Sequence, residues 1–135
     1  MLFARRLSLV LAVATIGIAC DNNPTSARNT PTGCLTPVGT IAIGDTLAGT
    51  LSASSCTLSN GAYAETRSLV LSTSSIITLR LELASDEFDT VLYVRNASGA
   101  LVVEDDDSGP DTDSRIEHTF SPGTYRVIAT SYDSG

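Results

Sequence analysis

From residue 41 onward, apolar side chains recur at every second position in short runs, and no helical period lasts three turns. The plainest run is 77–83. There Ile77, Leu79, Leu81 and Leu83 alternate with Thr78, Arg80 and Glu82, the pattern of a strand with one dry and one wet face. Further short runs, alternating or continuously apolar, give strands near 41–43, 46–52, 68–72, 91–94, 101–103, 116–120 and 125–130. Gly44-Asp45, Asn96-Ala97-Ser98-Gly99 and Ser121-Pro122-Gly123 punctuate them as turns. Eight or so short strands at this spacing predict an all-β fold, an antiparallel β-sandwich.

The first 33 residues follow other rules. Arg5 and Arg6 precede 13 apolar or small residues, 7–19. A membrane-spanning helix needs about 20 such residues, so the run fits the core of a secretory signal instead. It ends Ile16-Gly17-Ile18-Ala19-Cys20, which resembles a bacterial lipoprotein signal whose Cys20 is lipidated after cleavage. Gly17 departs from that pattern, which usually has an aliphatic residue there. Residues 21–33 contain no aliphatic side chain beyond Ala27 and read as a flexible tether. The expected organisation is a leader at 1–19, a tether at 20–33 and a folded domain at 34–135.

Cysteine usage agrees with export. Of three cysteines, Cys20 is the candidate lipid site, leaving Cys34 and Cys56 to pair in an oxidising compartment. The alternative is that both are small buried apolar residues. Fifteen acidic residues face eight arginines and no lysine; without Arg5 and Arg6 the net charge is −9. Such a field repels nucleic acid and anionic headgroups, which argues against both as partners.

Chemistry is concentrated in one loop. Glu104, Asp105, Asp106, Asp107, Asp111 and Asp113 fall within ten residues, with Gly109 allowing a sharp bend. Calcium takes six to eight oxygens, and Asp105, Asp107, Asp111 and Asp113 are candidate ligands at alternate spacing. Asp86, Glu87 and Asp89 could add to them from a neighbouring loop. The competing reading is that the carboxylates cap backbone amides and hold the turn, with Ser114 or Arg115 as partner. His118, the only histidine, lies between Ile116 and Phe120 and reads as a partly buried strand position. No nucleophile elbow, second zinc ligand or phosphate loop accompanies it, so no catalytic residue is assigned. Tyr93 and Tyr132 are weak candidates for a stacking surface, with Tyr125 expected in the core.

The segments Phe88-Asp89-Thr90, Leu92-Tyr93-Val94, Asp105-Asp106-Asp107, Ser114-Arg115-Ile116 and Gly123-Thr124-Tyr125, with Gly99, resemble the bacterial pre-peptidase C-terminal domain. The resemblance covers roughly residue 40 to the end. It implies a jelly-roll-like sandwich that binds or helps localise, stabilise or mature attached enzymes, and is not itself a catalyst. Glu65 and Arg67 depart from the family's Asp and aromatic, and the family's last strand is missing after Tyr132. The expected role is a non-catalytic cell-envelope lipoprotein, held to the membrane by its lipid, with an envelope protein or polysaccharide as partner. The alternative is an accessory or maturation domain working with a secreted peptidase.

Overall fold

The computed structural model describes residues 5–13, 30–83 and 89–132. Among them the chain forms ten strands and no helix: β1 (Arg5–Val13), β2 (Gly39–Ile41), β3 (Thr46–Leu51), β4 (Cys56–Thr57), β5 (Tyr63–Leu71), β6 (Ser75–Leu83), β7 (Thr90–Asn96), β8 (Leu101–Asp105), β9 (Ser114–Phe120) and β10 (Gly123–Ser131). One sheet runs β3-β1-β6-β9. The other runs β2-β5-β10-β7-β8, with β4 added beside β5. The two layers make the expected β-sandwich. One pairing differs from an all-antiparallel arrangement: β2 lies parallel to β5, with Gly39 opposite Arg67 and Ile41 opposite Leu69.

The period-two pattern decides which side chains meet between the layers. On β10, Tyr125, Val127 and Ala129 face inward, beside Leu69 and Leu71 of β5 and Leu92 and Val94 of β7. From the other sheet come Leu51, Ile77, Ile116 and Phe120. Fully burying a side chain the size of Ile77 or Leu69 stabilises the fold by about 1.5–3 kcal/mol. Phe120 packs edge-on against Tyr125 across the layers, with ring centroids 5.1 Å apart. Only the short turn 121–122 separates β9 from β10, so this contact forms where the chain crosses between sheets.

A second cluster lies on the outer face of the larger sheet, where Val91, Tyr93 and Ile128 pack with Cys34, Leu58 and Ala64. This is why β7 is buried along both faces from Thr90 to Arg95. The segment carrying Cys34 is fastened over that face. Cys34 is bonded to Cys56, with Cα atoms 5.6 Å apart, and the Cys34 carbonyl accepts the Thr66 hydroxyl at 2.5 Å.

Two findings concern the segments ahead of the expected domain. Arg5–Val13, read from sequence as leader, is an inner strand of the smaller sheet, antiparallel to both β3 and β6. Residues 30–33, read as the end of the tether, are bonded to the sandwich. The amide of Thr32 donates to the Ser59 hydroxyl at 2.9 Å, and the Ser59 amide donates to the Thr32 carbonyl at 2.9 Å. Buried Arg95 sends Nη2 to the Pro31 carbonyl at 2.8 Å and Nη1 to the Gly99 carbonyl at 2.9 Å. Composition hid these ties because each has a backbone group on at least one side, and every sequence has those.

Candidate functional site

The acidic loop joins β8 to β9 at the rim of the sandwich. Strand register places it at the Thr90 end of β7, since Leu92 pairs with Asp105 and Ser131 with Thr90. Its floor is a buried hydroxyl pair. Thr90 Oγ1 lies 2.8 Å from Ser114 Oγ and accepts the Ser114 amide at 2.8 Å. Thr90 Oγ1 also donates to the Thr112 carbonyl at 3.1 Å. Buried hydroxyls carry a large desolvation cost unless bonded, and this pair satisfies itself against the loop it supports.

Asp105 ties the loop from above. Its Oδ2 accepts the Arg115 amide at 2.7 Å and the Ser108 amide at 3.1 Å, while Oδ1 accepts the Ser108 hydroxyl in a short bond. Two backbone bonds hold the tip. The Gly109 amide donates to the Asp113 carbonyl at 2.9 Å, and the Asp113 amide to the Pro110 carbonyl at 3.0 Å. A Cβ at Gly109 would sit 2.7 Å from the Asp113 carbonyl oxygen, so the close approach requires glycine there. Asp111 adopts a φ of 55°, a left-handed conformation that Asp tolerates better than most residues.

The four candidate calcium ligands therefore have different surroundings. Asp105 is engaged by three donors, two from Ser108 and one from the Arg115 amide. Asp107 and Asp111 face solvent, and Asp113 is half-buried. Among the described residues, no three His, Cys, Asp or Glu side chains draw together as a metal-holding group. Glu104 accepts the Thr30 hydroxyl at 3.2 Å, joining the loop's start to the chain's approach. Asp86, Glu87 and the candidate lipid site Cys20 lie outside the described residues.

The remaining candidates separate by burial. Tyr125 is in the core, as its alternation predicts, and donates its hydroxyl to the Ser121 carbonyl at 2.7 Å. Tyr93 is also buried, which withdraws it from any stacking surface, whereas Tyr132 is 57 % exposed. His118 is half-buried, edge-on to Phe120 at 4.8 Å, and burial pushes its pKa below the usual imidazole range. The Arg115 guanidinium reaches Glu117 at 3.4 Å on the surface, where such pairs stabilise by little. Its backbone amide, not its charge, is what the acidic loop uses.

Sequence reading missed one polar device on the inner side. Glu65 and Arg67 on β5 form an ion pair, with Nε to Oε1 at 2.8 Å and a shorter bond from Nη2. Their register partners Ala129 and Val127 point into the core, so the pair lies on the inner face near the sheet edge. Two glycines make room. A Cβ at Gly39 would lie 2.5 Å from Arg67 Nη1, and one at Gly49 would lie 2.9 Å from Glu65 Oε2. Opposite charges two apart in a strand share a face, and that spacing was the available signal.

At the other end of β7 and β10 lies an open depression of about 300 Å³ lined by Asn96, Ser98, Pro122, Thr124 and Tyr125. Its walls are two turns stitched together by Arg126, which donates to the carbonyls of Asn96 at 3.0 Å and Ala97 at 2.8 Å. No protein-family model, curated protein or solved structure matches the chain.

Proposed function

We propose that this chain is an exported, lipid-anchored β-sandwich module of the cell envelope, with a binding or accessory role and no catalytic one. The observation that supports it most is the Cys34–Cys56 disulfide, since such bonds persist in oxidising compartments outside the cytosol. The leader-like segment ending at Cys20 is consistent with that location. The acidic loop supports a structural role for its carboxylates, because Asp105 is used to hold β8 against β9. The proposed role needs no calcium: amide and hydroxyl donors already satisfy the Asp105 oxygens. The exposed Asp107 and Asp111 leave a negative rim, suited to a partner with basic groups or many hydroxyls.

The test is cell fractionation of the tagged chain together with metabolic labelling by a palmitate analogue. Label in the membrane fraction, lost in Cys20→Ala, is the expected result. A chain found unlabelled and reduced in the cytosol would overturn the reading. Pull-down from envelope extracts with the anchored protein would then identify the partner.

A further inference from the structure

β1 occupies an inner position, and that position has its own specificity. Arg5 to Val10 pair with β3, and Leu7 to Val13 pair with β6, both antiparallel. β3 and β6 do not pair with each other. Odd positions of β1 share register with residues that belong to the core or pack against it: Arg5 lies opposite Leu51, Leu9 opposite Leu47, and Val13 opposite Ile77. Those odd positions read Arg, Leu, Leu, Leu, Val, while the even ones read Arg, Ser, Val, Ala. The slot therefore selects an extended segment whose alternate residues are aliphatic, with its backbone bonded on both sides.

The same residues are the ones export would remove. Cleavage before Cys20 takes all of Arg5–Val13 out of the chain and leaves facing edges of β3 and β6 without a strand between them. Unpaired edges on both sides of a one-strand gap form a template for strand addition, with backbone bonds giving affinity and alternate side chains giving selectivity. We infer that the gap between β3 and β6 is a strand-acceptor site of the processed protein, filled in trans by an extended, alternately aliphatic peptide segment of another protein. In the unprocessed chain Arg5–Val13 fills it in cis, so processing exchanges an internal strand for a partner's. This inference rests on the export reading above.

The test keeps the whole chain. A protease site placed within residues 21–29 is cut after folding. The cut protein is then unfolded and refolded with excess labelled peptide of the sequence Arg5–Val13. A control peptide carries Leu7→Ser, Leu9→Ser and Leu11→Ser. Retention of the first peptide on size exclusion, on the order of a hundredfold better than the control, is expected from three lost apolar side chains. Equal retention of both, or of neither, overturns the acceptor site. Dimers of the cut chain with the peptide excluded overturn it too, in favour of a second copy. Mass spectrometry of the cellular protein tests the export reading separately. An intact leader there overturns export and in-trans filling together, even where the peptide binds. A processed Cys20 terminus with no peptide retained overturns the acceptor site alone.

Discussion

The Asp105 carboxylate accepts the Arg115 amide at 2.7 Å, so the last residue of β8 is fastened to the second residue of β9 across the intervening loop. The same side chain also accepts two groups of Ser108. One residue thus sets both the start and the end of the loop. Asp105→Ala leaves these donors to water and should lower stability by about 1–2 kcal/mol. Asp105→Asn, which keeps one acceptor oxygen, should lose roughly half as much. Urea unfolding of both variants measures the difference; equal losses would contradict the tie.

Calcium should not change the melting temperature. Asp105 already has protein donors, and the other acidic side chains of the loop are not gathered around a common point. Thermal melts with millimolar calcium and with chelator should superimpose. A rise with calcium would show that Asp107, Asp111 and Asp113 rearrange around the ion.

Removing the disulfide by Cys34→Ser with Cys56→Ser should cost about 3 kcal/mol, from the entropy regained by the unfolded chain over a separation of 22 residues. The loss should appear equally when the native protein is reduced before unfolding. Denaturation midpoints with and without reductant provide the check.

Gly49→Ala should destabilise by about 1 kcal/mol, because the new methyl would press on Glu65 Oε2 and push it from Arg67. In a Glu65→Ala background the same change should cost under about 0.5 kcal/mol. A double-mutant cycle on unfolding free energies isolates that coupling. An undiminished cost would place the effect in the β3 backbone.

His118 should make stability fall on mild acidification. Burial lowers its folded-state pKa from the ordinary 6.5, so the unfolded chain takes up the proton first as pH drops. Stability contributed by the neutral ring is complete above about pH 6.5 and is lost as pH falls from there through the depressed folded value. His118→Gln should flatten this part of the profile. Urea midpoints across the range measure it.

Much of the sandwich was legible because one buried face imposes a period of two. Residues 77–83, 116–120 and 125–130 show that period and became β6, β9 and β10. β7 was readable as a strand, but not its burial on both faces. Tyr93 and Arg95 are covered by the stapled segment around Cys34, a tertiary fact with no local pattern. The parallel β2 pairing was hidden for a similar reason, since three residues carry no directional signal. The apolar stretch 7–13 was ambiguous in a deeper sense. The composition that suits a secretion signal also suits an inner strand, because both demand aliphatic residues that shed water. Within the acidic loop, the density of carboxylates was visible. The assignment of Asp105 to amides depended on Gly109, Pro110 and Ser108 folding the loop back, which spacing alone does not specify.

The Cys34–Cys56 staple also determines how the molecule would carry a load. In the processed chain proposed above, tension applied from the Cys20 end meets the Thr30 bond to Glu104 and the Pro31 and Thr32 carbonyl bonds to Arg95 and Ser59. Once those yield, force passes through sulfur directly to β4 and its neighbour β5, and residues 35–55 are bypassed. Residues 35–55, enclosed by the bridge, cannot be unzipped from that end. A protein tugged at its front would shear as a block, its interior layers loaded broadside instead of peeled one by one.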